Sequence, residues 1–272
     1  MLTMQHIKDA INSIPTYSLP NELAQLSFQS KSEYLFRDKL SLYFSDQFSQ
    51  GNTRVFPIRE WQISEPWGIP RIHFEVFCKK LNIDLKILNS KKRELKELRA
   101  QEKEKLKNLP PELRNLCFIH ELSSTQAIDL ALFEYPEKRP KNNPIFPLTT
   151  LIEFKCEVIY QLTNTTLKSN NYIFADIERM DKFTLIDDRI SYFEILVLID
   201  FPLGFDPKWY SLKNHYKQIT EFNKNNPNAL NTIDAFIKET FGSSLHIENT
   251  TLDVGTYLQT PVKLHFWIFT KK

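Results

Sequence analysis

The sequence predicts an α/β protein in which helices flank a mixed central sheet, and three observations predict it. LCFIHEL (116–122), QAIDLALFE (126–134) and TTLIEFKCEVIYQL (149–162) have the period and apolar content of adjacent, largely buried strands. After Asn170-Asn171, YIFADIERMDKFTLI reads as an amphipathic helix. SYFEILVLIDF (191–201) is then a nearly continuous apolar run, the pattern of a strand buried on both faces.

In chain order, Met4 to Ile14 reads as a short helix that stops before Pro15. A second helix starts where Ser30 or Ser32 can cap it, with Glu33 in the first turn, where a carboxylate suits the dipole. Tyr34, Leu35, Leu40, Leu42, Tyr43 and Phe44 recur along it at three- and four-residue spacing, and it ends near Gly51. VFPIREWQI can form an edge strand, and Trp61 and Trp67 flank a proline-containing turn. Arg71 to about Leu109 looks helical, with a break at Asn82 or Asn89 and a stop at Pro110-Pro111. Its later part is polar on most faces, with Leu95, Leu98, Leu106 and Leu109 as the exceptions, as in a solvent-facing helix. Residues from about 52 to 115 are therefore read as a basic, mostly helical insertion. After 201 come helices at about 207–223 and 228–240 and a last strand, VKLHFWIFT (262–270). Residues 202–272 thus form an α/β extension of a single domain spanning 1–272.

Composition narrows the function classes. At 272 residues and 42% hydrophobic, the chain can bury a core without disulfides or a structural metal. Cys78, Cys117 and Cys156 are scattered and odd in number, so neither a disulfide framework nor zinc-ligand spacing is present. With 5 glycines there is no GxGxxG, GxxxxGK[ST] or GxSxG, which removes dinucleotide, P-loop and hydrolase-elbow readings. No stretch approaches a membrane span and no secretory leader is read, so a cytoplasmic location is expected, with no membrane partner. The net charge of +2 creates no global field, but charge is unevenly placed. From Lys79 to Arg114 there are twelve Lys/Arg against six Asp/Glu, leaving the rest of the chain net negative. Such a basic segment, with Lys91, Lys92 and Arg93 at its centre, suits either a nucleic-acid partner or a solvated helix.

One constellation carries chemistry. Asp129 interrupts one apolar strand, and Glu153 and Lys155 interrupt the next. Strand side chains alternate, so Glu153 and Lys155 share a face, while Phe154 and Cys156 take the other. If the strands are neighbours, Asp129 can stand opposite Glu153 with Lys155 alongside. Burying three charges is costly unless something offsets them. A magnesium ion between the carboxylates is one offset; a plain salt bridge from Lys155 to Glu153 or Asp129 is the other.

The lone acid and the E-x-K that follows it resemble the PD-(D/E)XK nuclease superfamily, over about Ser30 to Phe201. The resemblance implies a restriction-endonuclease-like core, α-β-β-β-α-β, and a Mg²⁺-dependent endonuclease acting on DNA, with Mn²⁺ able to substitute. It implies a type II restriction or phage-defence enzyme, in a family whose members often act as dimers. Asp129 and Glu153 would hold the metal with the backbone carbonyl of Phe154, and Lys155 would serve hydrolysis. Glu33 is the candidate for the glutamate that members often add from the first helix, and Glu121 for an acid of the first strand. Ile128 stands where the family's name has proline, and the basic insertion lies outside the minimal core.

Arg179 and Lys182, three apart on the helix after the E-x-K strand, and Lys168 before it are candidates for the DNA backbone. Asp176 can instead tie Arg179 up locally. The six histidines form no HxH or HxxxH pair, and His120 reads as a satisfied strand residue. Two other function classes compete: a catalytically silent nucleic-acid-binding or protein-interaction module on the same fold, and an adaptor whose residues 79–109 pair with a partner helix.

Overall fold

The computed structural model describes residues 2–27, 32–48, 53–61, 86, 127–136, 148–159, 172–181, 190–202, 213–257 and 259–272. Within them the chain is α/β, with a six-stranded mixed sheet and helices on both faces.

The N-terminal helices form one layer. α1 (Met4–Ser13) opens with a capping box: Thr3 Oγ1 accepts from the His6 N–H, and the Thr3 N–H donates to His6 Nδ1. A 3₁₀ turn over Ile14–Tyr17 leads to α2 (Glu22–Ser27) and α3 (Ser32–Gln47). Ile7, Ile11, Leu23, Phe36, Leu40 and Phe44 point inward and are buried. α1 and α3 lie where periodicity put them; α2, six residues long, was not foreseen.

The strands are β1 (Thr53–Trp61), β2 (Ile128–Pro136), β3 (Leu148–Val158), β4 (Ser191–Asp200), β5 (Leu245–Tyr257) and β6 (Thr260–Lys271). Their order in the sheet is β1-β2-β3-β4-β6-β5. Among the described strands only β3 and β4 run parallel to one another; the other pairs are antiparallel. α4 (Tyr172–Asp181) makes the crossover that a parallel pair needs. α5 (Lys213–Asn225) and α6 (Ala229–Phe241) precede the β5–β6 hairpin.

Two expectations change. The neighbour of β2 is Thr53–Trp61, paired from Thr53↔Pro136 to Trp61↔Ile128. The sheet therefore takes up the first residues assigned above to an insertion starting at about 52. Among the described strands β1 lies at the edge of the sheet, where the missing N–H of Pro57 breaks no second ladder. Residues 116–122 lie outside the described residues, as does the rest of 62–126 apart from a helical Lys86. β5 was not read as a strand at all. It is half polar and runs along the other edge, with Leu252 and Val254 turned inward. Its register shifts between Asp253 and Thr256, where Gly255 has φ +95°. A Cβ on Gly255 would lie 2.3 Å from Asn21 Oδ1, which accepts from the Thr256 N–H at 2.9 Å, so only glycine fits.

The two faces are covered differently. Phe36 of α3 meets Phe266 of β6 edge-to-face at 5.7 Å, and Ile152, Phe154, Ile195 and Val197 join the same core. On the opposite face, Phe241 of α6 packs on Phe269 at 5.4 Å and on Phe174 of α4 at 4.5 Å. No described helix is long and apolar enough to cross a membrane.

Candidate active site

The charged residues gather on the face of β3 and β4 that α4 covers. β3 alternates as expected: Ile152 and Phe154 enter the α1–α3 core, while Glu153 and Lys155 face α4.

The β2–β3 ladder reaches Leu130↔Ile152, its last pair at this end. Beyond it, two β3 amides that point towards β2 are taken by carboxylates. Asp129 Oδ2 accepts from the Phe154 N–H at 2.8 Å, and Glu33 Oε1 from the Cys156 N–H at 3.1 Å. β2 and β3 are thus neighbours, and Asp129 does come to the E-x-K segment. It is held by the backbone between Glu153 and Lys155, rather than simply facing Glu153. Glu33 arrives from the first turn of α3, so its carboxylate binds a strand amide.

Glu153 is 3% exposed and receives the guanidinium of Arg179. Arg179 also meets Asp176 Oδ1 at 3.2 Å, so the local pairing weighed in the sequence forms, with Glu153 added. Lys155 Nζ lies 3.0 Å from Asp176 Oδ2, not on Glu153 or Asp129. α4 therefore holds both charged members of the E-x-K, through side chains three residues apart on one helix face.

Sequence reasoning missed Glu194. It is the register partner of Glu153 across the parallel β3–β4 pair, is 0% exposed, and neither oxygen has a hydrogen-bond partner among the described residues. The available signal was the one that exposed Asp129: a single acid interrupting an apolar strand.

Electrostatics follow from crowding. Burial pushes the Glu153 carboxyl well above the usual range; Arg179 opposes this, while Asp129, Glu194 and Asp176 add to it. Burial likewise raises Glu194 strongly, with Asp176 adding and Lys155 opposing. Burial also raises Glu33, against the Cys156 N–H and Lys155. Burial works against the Lys155 ammonium, but Glu194, Asp176 and Glu153 outweigh it and hold its pKa above the ordinary lysine range. Lys155 is therefore a fixed positive charge.

No family model matches the chain, and neither does any curated protein or solved structure. What the site can do must be read from its own residues. Glu33, Asp129, Glu153, Asp176 and Glu194 bring carboxylate oxygens into one electrostatic neighbourhood with two cations, Lys155 and Arg179. Among the described residues, no three His, Cys, Asp or Glu side chains converge closely enough to hold a metal by themselves. Glu121, Lys168, Lys182, Lys91, Lys92, Arg93 and His120 lie outside the described residues.

Proposed function

We infer that this chain is a Mg²⁺-dependent endonuclease that hydrolyses DNA phosphodiester bonds on a restriction-endonuclease-like core. The observation that carries the reading is Asp129 seated on the Phe154 amide, which brings an acid of β2 to the E-x-K of β3. Among the described elements the order α3-β1-β2-β3-α4-β4 supports it, because it follows the α-β-β-β-α-β sequence of such a core.

Asp129 and Glu153 are the side chains that would hold Mg²⁺, together with the Phe154 carbonyl and waters. Bound Mg²⁺ supplies a water of lowered pKa and polarises the phosphoryl oxygen. Lys155, kept protonated by its acidic neighbours, offers positive charge to the phosphate rather than accepting a proton. With a side chain 28% exposed, it is open to a substrate in a way that Glu153, at 4%, is not. Arg179 is a second phosphate contact once released from Glu153. Glu33 keeps the β3 backbone in place through the Cys156 amide. A restriction or phage-defence role in the cytoplasm, with a homodimer cutting both strands, completes the reading.

A catalytically silent module is the competing reading. The pairing of both Glu153 and Lys155 with α4 favours it, since it satisfies their charge without a metal. Cleavage separates the two. Incubated with plasmid and Mg²⁺ or Mn²⁺, the wild type should cut, and Lys155→Ala should lose about 10²–10³-fold in rate. No cleavage by the wild type would favour the silent module, and equal cleavage by both proteins would remove Lys155 from the site.

A further inference from the structure

β4 brings one more carboxylate to the site, and it is the one with nothing to hold. Glu153 and Glu194 are Cα partners on parallel strands, and strands in a sheet lie about 4.8 Å apart. Paired residues of adjacent strands project to the same face, so both side chains lie beneath α4. The other acids there each have a donor: Asp129 the Phe154 amide, Glu33 the Cys156 amide, Glu153 Arg179, and Asp176 Lys155. Glu194 is fully buried, and both its oxygens lack a hydrogen-bond donor among the described residues. Buried acceptors are almost always satisfied, and a buried carboxylate left unpaired is costly.

We propose that Glu194 is a metal ligand, holding a divalent cation jointly with Glu153. This rests on the nuclease reading for the nature of the cation, Mg²⁺ or Mn²⁺, and adds a ligand from a strand that reading does not use. Mg²⁺ is commonly bound through one or two carboxylates, with waters and phosphate oxygens filling its octahedron. Glu194, one strand from Glu153, would add a carboxylate to Asp129, Glu153 and the Phe154 carbonyl, with waters filling the rest. Arg179 now occupies the Glu153 oxygen from the α4 side. With Glu153 and Glu194 turned to a cation, Arg179 would lose its Glu153 partner and its guanidinium would be available to an anion.

The test uses the full chain without nucleic acid, so that binding is read apart from cleavage. Mn²⁺ affinity is measured by calorimetry, and the Mg²⁺-dependent rise in Tm by thermal unfolding, for wild type, Glu194→Gln, Glu194→Asp and Asp129→Asn. Glutamine keeps the size of the side chain and removes its charge. Glu194→Gln should weaken Mn²⁺ at least about tenfold and shrink the Mg²⁺-dependent rise in Tm. Glu194→Asp, which keeps the charge but draws it back, should fall between and covers the case in which Glu194→Gln does not fold. Wild-type affinity in both Glu194 variants would overturn the proposal. If Asp129→Asn alone loses affinity, the nuclease reading survives and the Glu194 assignment falls. If the Glu194 variants lose affinity but the wild type cuts nothing, the assignment stands and the nuclease reading falls. No Mn²⁺ uptake by the wild type would remove both.

Discussion

At the scale of single residues, Asp129 carries two duties that substitution can separate. Its Oδ2 accepts the Phe154 N–H at 2.8 Å, and its charge acts on Glu33, Glu153 and Glu194. Asparagine keeps an acceptor oxygen and loses the charge, whereas alanine loses both. Asp129→Asn should therefore keep wild-type stability in urea unfolding to within about 1 kcal/mol, while Asp129→Ala should lose about 1–3 kcal/mol through the stranded amide. Both should lose Mn²⁺ affinity and cleavage. Equal stability losses would mean that the charge, not the hydrogen bond, is what the fold uses. Glu153 and Lys155 were legible because strand alternation fixes their shared face whatever the tertiary partners. Their actual partners were not legible, since Asp176 and Arg179 reach them only once α4 has docked. Glu194 was hidden differently. A run such as SYFEILVLIDF announces burial so strongly that one carboxylate inside it reads as noise, although burial is what makes it matter.

At the scale of elements, α6 is fixed to the sheet by one carboxylate as well as by Phe241. Asp234 accepts from Trp267 Nε1 at 3.0 Å, from Asn249 Nδ2 at 3.1 Å and from Lys238 Nζ at 2.6 Å. Burial opposes ionisation, but these three donors outweigh it and lower the pKa. A depressed carboxyl contributes stability that is present above its unfolded pKa, about 3.9, and is lost as pH falls through its folded value. Asp234→Asn should thus have a lower Tm than the wild type at pH 7, with the gap closing below about pH 3.9. A gap that does not narrow at all as the pH falls below about 3.9 would show that shape, not charge, holds α6. The same helix was legible from its period, as were α1, α3 and α4, because each buries a stripe of its own surface. β1 and β5 were the weak points, and both lie at the edges of the sheet among the described strands. Pro57 interrupts one and polar residues fill the other, since an edge strand needs only one ladder and one buried face.

For the whole molecule, the strand order sets the chemistry at the centre of the sheet. β3 and β4 are third and fourth of six, with α4 and α6 on one face and the α1–α3 layer on the other. The site is assembled from five elements, so its geometry depends on the core that ties them together. α3 shows the coupling most directly. Glu33 lies in its first turn and reaches the Cys156 amide, and Phe36, one turn on, is wholly buried against Phe266. Phe36→Ala should cost about 3–5 kcal/mol through lost burial and the cavity left behind. At roughly 2–4 °C per kcal/mol for a chain of this size, Tm should fall by on the order of 10 °C. Because the cavity loosens the helix that carries Glu33, Mn²⁺ affinity should fall too, although Phe36 touches no ligand. Leu42, half exposed on the same helix, is the control, and Leu42→Ala should leave both quantities near wild type. A Phe36→Ala protein that is destabilised but binds Mn²⁺ normally would show that β2, β3 and β4 hold the site without α3.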